Sequence, residues 1–416
     1  MASTLPASAF SRVSQIAADR RVHQAFQWLH INQQQILRWQ AELVAVPAPP
    51  FGERVRAEWL AERFRGLNLD EVYLDPIGNV IAIRRAAQPS ESCLLLSAHI
   101  DTVFPADTPI EPKLNGTRLE APGACDNGAG VVCLLALAAA LEQTETRLNC
   151  DLIFAGNVGE EGEGDLRGVR YIYEHAEWRD RVAAHIVLDG AGHEVAVTDA
   201  LGSLRYMVTI TGPGGHSWTD AGRPNPIVTL SRAVARLGEI ELPSSPRTTF
   251  NVGTIEGGTS VNAIPEQASA RFDLRSTDAE ELIRLEVELY RAVEDAVMDT
   301  NRSQPQSRRG QNALAFTIEK IGSRPVGRLS PQSALYETLS AVDRHLNIHT
   351  QPRVASTDAN IPLSLGIPAV SVGAGGDGGG IHTRGEWYDA HRRELGLRRI
   401  LLLLLSVRDQ AQVPAV

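Results

Sequence analysis

In "LLLSAHIDTVFP" an apolar run closes on His99 and, one residue later, reaches Asp101. Other acids and one more histidine follow. "APGACDNGAG" offers Asp126, "GNVGEEGEG" offers Glu160 and Glu161, "AHIVLDG" ends near Asp189, and "GGGIHTRGEWY" offers His382. Carboxylates gathered in one place repel and raise one another's pKa values, and divalent cations remove that conflict. Imidazole and carboxylate suit zinc, and cobalt or manganese also fit. His99, Asp126, Glu161, Asp189 and His382 serve two metals at three protein ligands each when one carboxylate bridges. A position left open for water or substrate makes such a centre catalytic. Asp101 falls on the same face as His99 in an extended strand, where it can accept the other imidazole N–H and fix the tautomer. Glu160 adjoins Glu161. In an irregular loop neighbouring side chains diverge, so one can bind metal while the other serves water as a general base.

Taken singly, each of these residues has a plain alternative. A histidine at a strand end is usually only hydrogen-bonded, a Glu-Glu pair is usually a solvated loop, and Asp126 or Asp189 could cap a helix. The reading rests on their joint occurrence and on what positions them. Residues 11 to 66 read as helices. "QAFQWLHINQQQILRWQAELV" keeps apolar residues at helical spacing, "PAPPF" breaks it, and "GERVRAEWLAERFRGLNL" resumes a helix. "EVYLD", "NVIAIRR" and "CLLLSAHI" follow as strands, with "IGN" a turn and "NGTRLEA" a short hairpin. Helix "GVVCLLALAAALEQ", strand "DLIFAGNV", helix "GVRYIYEHAEW" and strand "AHIVLDG" then alternate, which indicates an α/β domain with a largely buried sheet. In open α/β sheets ligands bind outside the carboxyl ends of the strands, where the acids and histidines fall.

The pattern changes near residue 200. "SLRYMVTITG", "NPIVTLSRAVARLGEI", "TTFNVGTIEG", "QASARFDLRS", "DAEELIRLEVELYRAVEDAVMDT" and "LAFTIEKIG" read β-α-β-β-α-β, a ferredoxin-like unit. Beyond it the α/β signature returns with helix "SALYETLSAVDRHL", strand "PAVSVGAG" and a final helix from "HRRELGLRRILLLLLSVRDQ". The Gly-rich "GAGGDGGG" reads as a loop. The expected division is residues 1–199 with 325–416 as one domain and 200–324 as an insertion.

Composition narrows the function. A formal net charge of -10 with no basic cluster argues against nucleic acid and anionic membrane as partners. "VVCLLALAAAL" is too short to span a bilayer and reads as a buried helix. The N-terminal stretch has no signal-peptide apolar region. Cys93, Cys125, Cys133 and Cys150 form no CxxC pair and read as reduced thiols of a cytoplasmic protein.

From about residue 40 onward the sequence resembles the di-zinc hydrolases that include peptidase T, carboxypeptidase G, acetylornithine deacetylase, succinyl-diaminopimelate desuccinylase and aminoacylase. The matching stretches are "SAHIDTV", "GACDNGAG", "GEEGEGDLRG", "VLDG", "GPGGHSW", "GGTSVNAIP", "DLRS", "STDANIPLSLGIP" and "IHTRGEWY". The resemblance implies an α/β-α zinc-exopeptidase catalytic domain with an inserted lid or dimerisation domain, and two zinc ions per chain. It implies that His99 and Asp189 bind one metal, Glu161 and His382 the other, and that Asp126 bridges them. Asp101 would orient His99 and Glu160 would be the base. In the insertion, His216 would reach the scissile carbonyl oxygen, and Asn262 and Arg275 would bind the polar or carboxylate end of the substrate. The resemblance also implies a homodimer through the insertion and a cis bond after Asp126. Two positions depart from the common pattern. Asn127 stands where many members have an acid. Asp189 stands where deacetylases and carboxypeptidases more often have Glu, which leans toward the peptidase T branch.

The expected function is therefore cleavage of an amide bond in small peptides by an aminopeptidase. An N-acyl-amino-acid deacylase or a carboxypeptidase would use the same chemistry. Two remoter readings are a non-catalytic binding protein on this fold and a metal-free nucleophile at Cys125.

Overall fold

Four apolar runs lie side by side as parallel strands in the order Asp151–Asn157, Cys93–His99, Val182–Leu188 and Ala369–Val372. Nearly every residue in them is buried, as a sheet covered on both faces requires. This is a computed structural model, and it describes residues 8–304 and 313–407. The sheet is mixed. Val80–Arg84 and then Glu71–Leu74 extend it antiparallel on one side. On the other side Val195–Ala200 runs antiparallel to Ala369–Val372 and carries Gly327–Arg328 and Gln351–Ala355.

Alternation along each strand sends side chains to two helical layers. Leu94, Leu96 and Ala98 join the larger cluster with helices Gln33–Val44, Arg54–Arg65, Gly128–Gln143 and Arg393–Ser406. Cys93 and Leu95 face Val169, Ile172 and Tyr173 of helix Arg167–His175. Gly128–Gln143 is buried on nearly all sides, which explains why its apolar run shows no polar face. Each such Leu or Val withdrawn from water contributes roughly 1.5–3 kcal/mol.

Two local expectations are corrected. The N-terminal helical stretch is not continuous. Asn32 separates Arg20–Ile31 from Gln33–Val44, with its Nδ2 donating to the Trp28 carbonyl at 2.8 Å. The Asn32 backbone N–H donates to the same carbonyl at 3.0 Å, so the interruption is a single residue long. In "GAGGDGGG", Asp377–Gly379 is a strand rather than a loop, paired with Trp387–Asp389. Trp387–Asp389 pairs in turn with Arg118–Glu120 in a small antiparallel sheet. The glycine suits the place: a Cβ on Gly379 would meet the Trp387 ring at 3.0 Å.

The chain divides into two compact units, Met1–Ala200 with Gly327–Val416, and Leu201–Val326. In the second, four antiparallel strands stand in the order Thr248–Gly257, Gln267–Ser276, Gly202–Thr211 and Ala315–Arg324. Helices Pro226–Gly238 and Ala279–Arg302 share its core. This is the β-α-β-β-α-β unit read from the sequence. Both helix starts are encoded locally. Asn225 caps the first, with Pro226 behind it, and Asp278 accepts from the Glu280 and Glu281 N–H groups at the second.

Candidate metal centre

The parallel strands end together, and their ends carry the chemistry. His99 is the last residue of Cys93–His99, Glu160 and Glu161 follow Asp151–Asn157, and Asp189 follows Val182–Leu188. Asp126 stands just before helix Gly128–Gln143. His382 lies in the loop between Asp377–Gly379 and Trp387–Asp389. All of them belong to the first unit.

The side chains converge into overlapping groups. Ligand atoms of His99, Asp126 and Asp189 lie within 4.8 Å of one another, and so do those of Asp126, Glu161 and His382. Asp126 belongs to both. A further group joins His99, Glu160 and Glu161. His99 Nε2 is 3.1 Å from Asp126 Oδ1 and 3.8 Å from Asp189 Oδ1. His382 Nε2 is 3.2 Å from Asp126 Oδ2 and 3.0 Å from Glu161 Oε1. The centre is graded in exposure. The side chains of His99 and Asp101 are buried, those of Asp126 and Asp189 are 14% and 22% exposed, and that of His382 is 50% exposed.

The electrostatics describe a cluster short of positive charge. Burial pushes His99 down, yet its carboxylate neighbours Asp101, Asp126 and Asp189 hold it well above the ordinary imidazole range. His382 is pushed up to about 9, first by Asp126. Glu161 is raised by burial and by the Asp126 charge. Asp126 Oδ1 is buried with no hydrogen-bond partner among the described residues. Imidazole and carboxylate donors that draw protons onto both histidines fit a divalent cation in each of the two Asp126 groups.

Asp101 touches more than the sequence implied. His99 Nδ1 stands 3.5 Å from Asp101 Oδ1, with no other partner among the described residues. The two Asp101 oxygens accept the backbone N–H groups of Glu160 at 3.0 Å and Glu161 at 2.8 Å. It therefore also fixes the backbone of the turn that carries those two side chains, whose carboxylates stay within 4.8 Å of each other rather than diverging as expected.

Three further residues were not given roles from the sequence. Asn127 Oδ1 accepts from Gly130 N at 3.1 Å and Gly190 N at 3.2 Å, while Nδ2 donates to the Leu188 carbonyl at 2.9 Å. It caps the buried helix and ties the Asp126 loop to the Asp189 loop. An amide both donates and accepts there, which the acid expected at this position could not do when ionised. The peptide bond from Asp126 to Asn127 is cis. Asp358 is fully buried beneath the cluster. It accepts from Asn157 Nδ2 at 2.7 Å, and burial pushes it up to about 7. Glu386 is buried beside the Asp126 loop. Asp358 lies in "STDANIP" and Glu386 in "RGEWY", so position in a recognisable stretch was the available signal.

In the second unit, strand Gly215–His216 pairs with Ala263–Ile264, and the Ser217 N–H donates to the Asn262 carbonyl at 2.9 Å. This brings His216 and Asn262 together. His216 Nδ1 accepts from the Trp218 N–H at 3.1 Å, which leaves Nε2 as the protonated nitrogen of the neutral ring. Arg275 lies on strand Gln267–Ser276, with Nε donating to Asp273 Oδ2 at 2.6 Å. Cys125 is a poor nucleophile, since burial pushes its thiol up to about 12. No helix among the described residues is long and apolar enough to cross a membrane.

A two-unit α/β fold with an acid–imidazole cluster at its strand ends is the architecture of a metal-dependent hydrolase, and comparison with known proteins gives the family. Residues 95–406 match the model of peptidase family M20/M25/M40, and the chain belongs to that family. Succinyl-diaminopimelate desuccinylase of Corynebacterium glutamicum is 26% identical over 353 residues, covering 83% of this chain and 89% of that one. The crystal structure of aminopeptidase PepT from Bacillus cereus superposes with a TM-score of 0.70 at 20% identity, covering 90% of this chain and 99% of that one. YXEP of Bacillus subtilis, described as a dinuclear metal-binding peptidase of the M20 family, superposes at 0.66 with 16% identity over 91% of this chain and all of that one. The protein is an enzyme, a metal-dependent hydrolase of amide bonds.

Proposed function

We propose that the protein is a cytoplasmic di-zinc aminopeptidase acting on small peptides. The observation that carries the metal count is the place of Asp126 in two ligand groups at once. His99, Asp126 and Asp189 would hold one ion, and Asp126, Glu161 and His382 the other, with cobalt or manganese as other fitting metals. Bound there, the ions supply Lewis acidity toward a carbonyl oxygen and toward water. The remaining steps belong to the chain. Asp101 holds His99 in the tautomer that turns Nε2 to the cluster. Glu160, adjoining the ligands without belonging to either Asp126 group, takes the proton of the attacking water and passes it to the leaving amine. His216 donates to the carbonyl oxygen as negative charge develops there, and Asn262 and Arg275 hold the polar end of the substrate.

Asp189 in "VLDG" and the stretches "GEEGEGDLRG" and "EWYD" support a peptide substrate read from its amino end. The desuccinylase relative favours a second reading, removal of an acyl group from an amino acid. Free cysteines at Cys93, Cys125, Cys133 and Cys150 support a reducing compartment. Strand Thr248–Gly257 stands at a sheet edge and is exposed along its second half, a place where a second copy can pair to form a homodimer.

Elemental analysis and a substrate panel test this reading. Replete protein should carry about two divalent ions per chain. Asp126→Ala should weaken both, and His382→Ala chiefly one. Di- and tripeptides should be cleaved faster than N-acyl amino acids. Activity that survives complete chelation would end the proposal, and faster turnover of acyl amino acids would replace the aminopeptidase with the deacylase.

A further inference from the structure

The loop Ala121–Asp126 presents three backbone N–H groups to a single side chain. Glu386 Oε1 accepts from Asp126 N at 2.7 Å and Cys125 N at 2.8 Å, and Oε2 accepts from Gly123 N at 3.0 Å. Glu386 is 0% exposed. Its own backbone is tied to the same place. The Ala121 N–H donates to the Glu386 carbonyl at 3.0 Å, and the Glu386 N–H donates to Thr383 at 3.1 Å. Thr383 is the neighbour of His382 and its N–H closes onto Gly380 at 3.0 Å. Glu386 therefore ends the turn that presents His382 and, with both carboxylate oxygens, grips the loop that presents Asp126.

Only a carboxylate fills this position. It offers two acceptor oxygens and no donor, whereas an amide would turn an NH₂ group toward at least one of the three N–H groups. A buried N–H without an acceptor is unfavourable, so the loop would shift to find another partner. The atoms at risk are close to the centre, because the Asp126 N–H is itself one of the three.

We propose that Glu386 is a positioning residue that fixes the bridging Asp126 relative to His382, and so sets the affinity of the Asp126–Glu161–His382 metal group. This rests on the two-metal reading above, and the test separates the two. Apo-protein is titrated with cobalt(II) alone, followed by visible absorption and by competition with a chelator. Wild type should bind two equivalents, and a wild type that binds none refutes the two-metal reading itself. In Glu386→Gln one equivalent should bind about 10- to 100-fold more weakly, the usual effect of removing a group that orients a ligand. The other equivalent shares Asp126 but not His382, so it should weaken by clearly less. Activity at limiting metal should fall through kcat and recover with excess metal, while KM holds. Circular dichroism and thermal unfolding of the apo-protein report the fold separately. Should Glu386→Gln fail to fold, Glu386→Asp keeps the charge and both oxygens on a side chain one methylene shorter, and the same selective weakening is expected. Wild-type affinity for both equivalents in a folded variant overturns the proposal. So does equal loss of both equivalents in step with lost folded protein, the signature of a merely structural role.

Discussion

Glu160 and Glu161 differ by one position, and the chain separates them by what holds each. Both backbone N–H groups are fixed by Asp101, Glu161 shares a group with Asp126 and His382, and Glu160 does not. On the proposed roles, Glu160→Gln should leave metal content nearly unchanged and lower kcat by about 10² to 10⁴. Glu161→Gln should release or weaken one ion. Metal analysis beside steady-state kinetics decides it: loss of metal from the Glu160 variant alone means that the roles are reversed. The residue types were legible in the sequence because acids and imidazoles at strand ends have few other reasons to recur. The residues that hold them were not. Glu386 and Asn127 act through backbone groups of distant loops, and such pairing has no local spacing to betray it.

At the scale of elements, the strands that carry the centre also bury a titratable group that it does not use. His185 on Val182–Leu188 places Nε2 2.8 Å from Ser97 Oγ and Nδ1 3.1 Å from the Tyr173 hydroxyl, joining two strands and a helix. Burial pushes its pKa down to about 3. Its unfolded value is near 6.5, so between roughly pH 6.5 and pH 3 the unfolded chain takes a proton that the folded one refuses. Stability linked to His185 is thus full above that window and falls as pH drops through it. His185→Gln removes the linkage. The variant should be less stable than wild type at pH 7, and the gap should narrow by about 2 kcal/mol at pH 5. Urea unfolding of both proteins at the two pH values measures it, and a gap independent of pH would show that the ring is not held neutral. The strands and most helices could be read from apolar runs and period. The break at Asn32 and the strand Asp377–Gly379 could not, because the first interrupts an apolar period that runs on through it and pairing with Trp387–Asp389 decides the second. The small strands on either side of His382 are stabilised by what they meet, and composition alone reads the Gly-rich one as loop.

At the scale of the whole molecule, the chain divides its proposed labour between two units. All five candidate ligands and Glu160 belong to the first, and His216, Asn262 and Arg275 to the second. Metal binding should therefore be insensitive to His216, whereas turnover should not. The local fold is compatible with the proposed donation. Gly214 and Gly215 adopt φ values of 64° and 145°, which lets the backbone turn tightly before it, and the Trp218 N–H occupies Nδ1. A donor to a developing oxyanion is worth about 10² to 10³ in kcat. His216→Ala should keep both ions and the fold and lose activity on that scale. Full activity in the variant would remove the ring from the mechanism. If the proposed homodimer forms and each insertion serves the partner's centre, two inactive variants can repair each other. Mixing His216→Ala with Glu160→Ala and allowing subunits to exchange should produce mixed dimers in which one centre has both wild-type residues, and activity should partly return. Light scattering shows whether dimers exist, and a labelled subunit shows whether they exchange. Dimers that exchange without recovering activity would exclude service in trans and leave each His216 to act within its own chain.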